Sequence, residues 1–297
     1  MEKDSKDLFN STIFLIVKFK GYLVRKLARN LISIAIPCLL FSAIHELTEF
    51  NFASSFSLPG LLGAALGVLL VFRTNTAYDR WWEARKVLGS MVNICRHFAL
   101  HIHMQIEESE NKKRLFLMLK AFPFVLKEHL RKGVIFEELT FLPDDILEQL
   151  KQWQHRPNGL VRMMLQVIEH EYERGNLSDF QRIKFMEYTD NLLVVLGKCE
   201  RIHNTPIPIA HAYLLKIYIW IYAMIMPIGF IDQLGWWTFV PVLIIYYVAM
   251  SLVIIAEEIE DPFGHDPNDL PTDKMAHMIK GNIEEIQYKQ PDYQVVV

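Results

Sequence analysis

Two long runs without a charged side chain constrain this chain more than any other feature. Residues 53–72 and 236–256 contain no Asp, Glu, Lys or Arg. Each is about as long as the roughly 20 residues that a helix needs to cross a bilayer. Residues 31–44 are uncharged but shorter, and residues 212–231 are apolar apart from Lys216, which near a helix end can extend to the headgroups. The sequence therefore predicts four transmembrane helices.

The distribution of basic residues predicts the orientation. Basic residues precede the first span and follow the second, at Lys18, Lys20, Arg25, Lys26, Arg29, Arg73, Arg80, Arg85 and Lys86. The connections at 45–51 and 232–235 contain no Lys or Arg. Because Lys and Arg are retained on the cytoplasmic side, we expect a multi-pass protein of the cell inner membrane with both termini in the cytoplasm.

Composition and motifs exclude several classes of protein. The net charge is -3 and the 31 Lys and Arg residues are scattered, so there is no basic patch for nucleic acid. The three cysteines lie far apart, which excludes a disulfide framework. Phosphate loops, a G-x-S-x-G elbow and a dinucleotide fingerprint are missing. His97 and His101 lie one turn apart, a spacing that can ligate zinc, but they lack the H-E-x-x-H pattern and are better explained as ordinary histidines on a helix face. We therefore expect a protein that is not an enzyme.

The polar stretch between the second and third spans has helical apolar spacing and predicts an all-helical cytoplasmic domain. Breaks are expected at Pro143, at 156–159 and at 174–179, where Asn176 or Ser178 can cap a helix. The predicted organisation is an amphipathic N-terminus at 1–30, membrane helices at 31–82, the helical domain at 83–210, membrane helices at 211–256, and an acidic turn with a tail at 257–297, packed on the helical domain.

The second span has a stripe of apolar side chains at helical spacing. Ala64, Val68 and Phe72 recur every four residues among many small residues. Small residues also allow helices to pack closely, so the alternatives are a packing face inside one subunit and a pore-lining face. Around an axis, several copies of the stripe would form stacked hydrophobic rings, which gate by dewetting.

Polar residues crowd the end of the second span, and acidic residues follow the fourth. Arg73, Asn75, Tyr78, Asp79 and Arg80 lie within eight positions and suggest a hydrogen-bond network at the membrane mouth, although an interfacial belt also attracts such residues. The turn at 256–271 could hold a hard cation through carboxylate oxygens, or its acids could cap turns and pair with arginines. Structural capping is the favoured interpretation.

Three motifs together resemble the bacterial branch of the bestrophin family. They are R-x-N-x-A-Y-D-R-W-W-E-A-R at 73–85, C-E-R-I-x-N-T-P-I-P at 199–208 and E-D-P-F-G-x-D-x-N-D-L-P at 260–271. The resemblance implies a homopentameric ion channel in the lipid bilayer, with one axial pore and a helical cytoplasmic barrel. It implies a hydrophobic neck at Ala64, Val68 and Phe72, and a cytosolic aperture at Phe180 or, one turn on, Ile183.

The resemblance also bears on calcium and on selectivity. Vertebrate members bind calcium at a clasp whose positions match Asp261, Asp266 and Asp269, but His265 stands where an acid is expected, so calcium is not expected to be required. The family implies conduction of small inorganic anions such as chloride, with a cation such as sodium as the alternative. A secondary transporter, or a membrane sensor or scaffold, is the rival class; four spans without an inverted repeat disfavour the transporter.

Overall fold

The computed structural model describes residues 2–48, 57–131, 133 and 135–289. Within these ranges the regular structure is helical, which confirms the all-α prediction. Two short 3-10 turns lie at Phe136–Leu139 and Gly235–Thr238. The α-helices are α1 (Glu2–Thr48), α2 (Ser57–Gln105), α3 (Glu110–Leu130), α4 (Asp144–Gln152), α5 (Arg156–Glu173), α6 (Asp179–Asn204), α7 (Ile209–Leu234), α8 (Phe239–Glu260) and α9 (Thr272–Tyr288).

The chain divides into two compact units. The first unit comprises Met1–Tyr78 and Ile207–Glu257, and the second unit comprises Asp79–Pro206 and Glu258–Val297. Two of the three boundaries fall inside α2 and α8, and the third, between Pro206 and Ile207, lies in the connection between α6 and α7. The predicted N-terminal segment and first span belong to one continuous helix, α1.

Three helical stretches in the described residues are long and apolar enough to cross a membrane: Arg25–Thr48, Leu58–Gln105 and Ala210–Glu260. The third contains α7 and α8, joined by the 3-10 turn at 235–238. Gly235 adopts a positive φ of 49° there, a conformation that favours glycine. Residues 53–56 of the predicted second span lie outside the described residues, and the number of bilayer crossings stays a prediction.

In the first unit, ion pairs and hydrogen bonds set the register of the helices. His45 near the end of α1 contacts Asp232 near the end of α7, with 3.1 Å between Nε2 and Oδ1. The Nζ of Lys216, early in α7, lies 2.6 Å from the carboxylate of Glu257, late in α8. The carboxyl ends of α1 and α7 therefore lie on one side, and α7 and α8 run antiparallel.

The second unit is built around α3, whose central residues are buried on all sides. Aromatic contacts join α2 to α6, because the Phe98 ring lies 5.9 Å from Phe185 and 5.5 Å from Tyr188. Helix α9 packs against α3, and Lys127 contacts Asp273 at 2.5 Å. The prediction that the tail packs on the helical domain is confirmed for α9; residues 290–297 lie outside the described residues.

Two of the three predicted breaks agree with the structure, and one is displaced. Pro143 precedes α4. The break predicted at 156–159 is wrong by a few residues, because His155 caps α5 and residues 156–159 form its first turn, where Pro157 is tolerated. Between α5 and α6, Gly175 adopts a φ of 76°, where a side chain would strain the backbone. Of the two candidate caps, Ser178 caps α6, whereas the amide nitrogen of Asn176 donates to Glu171 at 2.8 Å.

Candidate functional site

Helix α2 of the first unit presents an exposed apolar stripe. Val68 is 55% exposed and Phe72 is 64% exposed, and Ala64 one turn earlier is also exposed. A bulky apolar side chain that is this exposed in a single chain normally contacts lipid or another copy of the chain, or lines a pore. The three predicted neck residues therefore lie on a surface that the rest of the first unit does not cover.

The exposed stripe lies opposite the face by which α2 packs into its own unit. The buried side chains of that face are Leu66, Leu70, Arg73 and Ala77. At about 100° per residue, the centres of the stripe and of this buried face are separated by about 170° around the helix axis. The stripe is thus not the packing face of α2 within one subunit, which was the alternative interpretation.

The glycines of α2 differ in whether they lie against a neighbouring helix. A Cβ atom added to Gly63 would lie 2.6 Å from the Tyr222 hydroxyl, so Gly63 allows α7 to approach α2 closely. Nearby, the hydroxyl of Tyr218 donates to the backbone carbonyl of Leu62 at 3.0 Å. A Cβ at Gly67 would meet nothing within 4 Å. The packing interpretation therefore holds for Gly63 and not for Gly67.

The predicted aperture residues lie on the first turn and a half of α6. The Ser178 hydroxyl accepts from the Gln181 backbone N–H at 3.4 Å, and the Gln181 side chain accepts from the Ser178 N–H at 2.9 Å. This capping box fixes where the helix starts. Phe180 is 86% exposed and Ile183 is 61% exposed. Phe180 therefore does not pack under any helix among the described residues.

The exposed face that begins at Phe180 continues along α6 with acidic and apolar residues. Glu187, Asp190 and Val194 follow at helical spacing, and all three are exposed. The Lys184 ammonium lies 2.8 Å from the Glu187 carboxylate, which balances one of the two acids. On this face, Asp190 adds negative charge about three turns after the helix begins.

The five residues of the predicted mouth differ in their environments. Arg73 is almost fully buried in the first unit, whereas Asn75 and Tyr78 are exposed there. Asp79 is exposed in the second unit. All five residues lie on α2, and the structure gives Arg80 a clear structural role.

The Arg80 guanidinium binds three backbone carbonyls of the second unit. It donates to Ile202 at 2.6 Å, to Glu260 at 3.1 Å and to Thr205. The first two carbonyls lie in the last turns of α6 and α8, where backbone acceptors lack helical partners. A guanidinium there satisfies these acceptors and complements the negative end of each helix dipole. Arg80 therefore joins the ends of α6 and α8.

The acidic turn between α8 and α9 is closed by its own backbone and side chains. The Leu270 N–H donates to Pro262 at 2.9 Å, and the Asp266 N–H donates to the Asp269 carboxylate at 2.6 Å. The three predicted clasp residues are not among the described His, Cys, Asp and Glu groups whose ligand atoms gather within 4.8 Å. Asp261 and Asp266 are exposed to solvent.

Asp269 differs from the other acids of the turn. Burial raises the pKa of Asp269 to about 6, and the negative charges of Asp266, Asp261 and Glu258 act in the same direction. The hydrogen bond from the Asp266 N–H opposes this shift. A Cβ on Gly264 would lie 2.7 Å from the Asp269 carboxylate, so glycine makes room for this contact. Asp269 is therefore an integral part of the turn.

Arg131, which the sequence analysis did not single out, holds the acidic turn from α3. Its guanidinium donates to the carbonyls of Phe263 at 2.9 Å and Gly264 at 3.1 Å, and to the Thr272 hydroxyl at 2.8 Å. It also contacts both carboxylate oxygens of Asp273 at 3.1 Å. Arg131 and the turn are more than 130 positions apart in sequence, so no local pattern signals the contact.

The histidines considered as zinc ligands from their spacing have other contacts. His101 Nδ1 lies 3.0 Å from the side-chain nitrogen of Gln105, and the His101 ring packs against Tyr188 at 5.1 Å. His97 is exposed. These positions do not gather a set of metal ligands among the described residues.

Comparisons with known proteins agree with the resemblance in the three motifs. The family model described as bacterial/fungal bestrophin protein matches residues 3–285. A voltage-dependent anion channel-forming protein of Synechocystis is 33% identical over 291 residues, covering 95% of this chain and 93% of the relative. One of Nostoc is 37% identical over 237 residues and covers 76% of each chain.

A solved structure shows a similar fold. A bacterial bestrophin homolog from Klebsiella pneumoniae, solved as a single-site variant, superposes with a TM-score of 0.80 at 26% identity. The match covers 90% of this chain and 99% of that one.

Proposed function

Because the chain belongs to the bacterial and fungal bestrophin family, we propose that it is the subunit of an anion channel. The relatives named as voltage-dependent anion channel-forming proteins support this function. The observation that carries the proposal is the apolar stripe of α2, which is exposed and lies opposite the packing face. Chloride is the proposed permeant ion, and the protein conducts by diffusion rather than by chemical catalysis.

The proposed assembly is a homopentamer around one axial pore. Ala64, Val68 and Phe72 from each copy then form three stacked apolar rings, the neck, which exclude a continuous water column when narrow. Aromatic edges carry a positive rim, so a ring of Phe72 side chains weakly favours anions. The polar residues from Arg73 to Arg80 follow the neck along α2 and are proposed to form its inner mouth.

A second constriction is proposed where α6 begins. Phe180 is the primary candidate for this aperture and Ile183 is the alternative one turn on. The support is their exposure, because the described part of the chain leaves most of both side chains uncovered. A ring of Phe180 side chains would sieve ions by size at the cytosolic exit.

Conduction of cations is the second candidate function, and the exposed face of α6 favours it. Glu187 and Asp190 follow Ile183 on that face, and rings of acidic side chains attract cations. The Lys184 partner neutralises part of this charge. Anion conduction remains the primary proposal because the curated relatives carry that name.

Calcium is proposed not to be required. The support is that His265 stands where the clasp has an acid, and that Arg131 and the Asp266–Asp269 contact hold the acidic turn through groups of the chain itself. In this proposal Asp261, Asp266 and Asp269 are structural residues rather than a sensor. Currents recorded without calcium and at millimolar calcium should agree, and a steep calcium-dependent current lost in an Asp266→Asn, Asp269→Asn double variant would contradict the proposal.

The proposed location is the cell inner membrane, with four crossings per subunit and both termini in the cytoplasm. The exposed Trp236 and Trp237 within the 235–238 turn would anchor the outer interface. Cysteine labelling from each side of spheroplasts tests the topology, and labelling of a 232–235 site only from the inside would contradict it.

Reconstitution of matched variants tests the pore. Val68→Phe should lower single-channel conductance in planar bilayers, because each copy then adds a phenyl group that narrows the neck. Val248→Phe is the control, since Val248 on α8 is 51% exposed, close to the 55% of Val68, but lies outside the stripe. Equal conductance of Val68→Phe and the wild type would place the pore elsewhere, and saturating flux without unitary steps would indicate a transporter.

A further inference from the structure

Three side chains outside the proposed pore converge in the second unit. His129 lies at the end of α3, His155 is the residue that caps α5, and Glu200 lies on α6. Both imidazoles contact one carboxylate oxygen of Glu200, at 2.7 Å from His129 Nε2 and 2.8 Å from His155 Nε2. The two rings are 4.5 Å apart. In the described part of the chain, this is the group whose ligand atoms all lie within 4.8 Å of one another.

We propose that this cluster binds a transition-metal ion, with Zn²⁺ as the preferred occupant. Two imidazole nitrogens and one carboxylate oxygen are a recurring zinc ligand set, in which water takes the fourth position. Imidazole nitrogen is a poor ligand for the hard cations Ca²⁺ and Mg²⁺. The chemistry of the ligands therefore distinguishes this site from the acidic turn, whose donors are all oxygens.

The distances suit an ion after a small adjustment. Tetrahedral zinc with bonds of about 2.0–2.1 Å holds neighbouring ligand atoms roughly 3.3 Å apart. The two hydrogen-bonded contacts must therefore lengthen by about half an ångström when the ion replaces the shared protons. The side chains are 25%, 37% and 27% exposed for His129, His155 and Glu200, which leaves access for the ion and for a water ligand.

Binding must change the tautomer of the His155 ring. Its Nδ1 accepts from the Asn158 N–H at 3.4 Å, so in the metal-free protein its Nε2 carries the proton that faces Glu200. Coordination through Nε2 moves the ring proton to Nδ1 and removes this capping contact. At 3.4 Å the contact is long and therefore weak. Metal binding gives up this weak hydrogen bond in exchange for a coordinate bond.

The ligands come from three separate helical elements, so a bound ion would join α3, α5 and α6. Because the native cluster is assembled only in the folded chain, binding stabilises the fold. Helix α6 carries Phe180 at its other end, and zinc would therefore restrain the helix that bears the proposed aperture. The site itself does not depend on the proposed conduction.

The test uses the purified full-length protein in detergent, with any affinity tag cleaved and metal removed by chelation. Zinc titrated against a chromophoric chelator should bind at one ion per chain, and Co²⁺ should give the visible absorption of a tetrahedral site. Zinc should also raise the melting temperature. His129→Ala and Glu200→Gln should each weaken zinc binding by about 100-fold or more, since losing a ligand exceeds the cost of losing an outer partner.

Two further variants control for folding and for unspecific binding. His155→Asn removes the ligand nitrogen but keeps a side chain that is favoured at a helix N-cap, so α5 should stay folded. His97→Ala removes an exposed histidine outside the cluster and should leave zinc binding unchanged. The proposal is overturned if the wild type does not bind zinc saturably. It is also overturned if the cluster variants, folded as judged by circular dichroism, bind zinc as well as His97→Ala does.

Discussion

Replacing Phe180 by alanine should change ion permeation while leaving the fold intact. The side chain is 86% exposed, so its removal takes away almost no packing within the chain. If five copies line the aperture, the substitution also removes five phenyl groups from it. The wider aperture should increase the permeability of large anions relative to chloride. We therefore expect the exposed Phe180 side chain to line the aperture and not to stabilise the hydrophobic core.

The size of the stability effect follows from a matched residue on the same helix. Phe185 is fully buried against Phe98, and truncating a buried phenylalanine costs about 3–5 kcal/mol. At roughly 2–4 °C per kcal/mol for a domain of this size, Phe185→Ala should lower the melting temperature by roughly 6–20 °C. Phe180→Ala should change stability by less than about 0.5 kcal/mol, as surface substitutions do.

Both quantities can be measured on the same preparations. Thermal unfolding in detergent gives the melting temperature, and bi-ionic reversal potentials in planar bilayers give relative permeability. The reasoning is refuted if Phe180→Ala melts as low as Phe185→Ala and leaves the permeability ratio unchanged. If permeability changes only in Ile183→Ala, the aperture lies one turn further along α6.

Three further predictions concern the neck, the acidic turn and the cap of α6. Phe72→Ala should raise conductance or weaken ion discrimination in bilayer recordings, because it removes one apolar ring; an unchanged current would place the gate elsewhere. Since burial raises the pKa of Asp269, the folded protein binds a proton there more tightly than the unfolded chain does, and the melting temperature of the wild type should rise relative to that of Asp269→Asn as the pH falls from 8 through 6 towards 4. A difference between the two proteins that does not change with pH would contradict the argument. Ser178→Ala should lower stability by about 1 kcal/mol in chemical unfolding, because the Gln181 N–H loses its acceptor, and Ser178→Asn should retain most of it.

Features with a local physical cause were predictable from the sequence. The serine before α6 acts through its hydroxyl on the first turn of the helix, and the glycine at 175 and the proline before α4 act through their own backbone geometry; each lies where the structure ends or begins a helix. The apolar stripe of α2 was predictable because helical periodicity alone places Ala64, Val68 and Phe72 on one face. Its exposure required the fold, because only the packed chain identifies which face is covered.

The features that could not be predicted from the sequence depend on contacts between residues far apart in the chain. Arg131 binds carbonyls more than 130 positions away, and Arg80 joins the ends of α6 and α8. Neither contact has a local pattern, since a guanidinium that binds backbone carbonyls places no demand on side-chain identity at its partner positions. His129, His155 and Glu200 are separated by 26 and 45 positions, so their convergence also depends on tertiary packing.

The reversal potential of the purified, reconstituted protein in a KCl gradient tests the central claim most directly. An anion channel predicts unitary currents that reverse near the chloride equilibrium potential. Reversal near the potassium equilibrium potential, or a bilayer that shows no unitary current with correctly folded protein, would contradict the account.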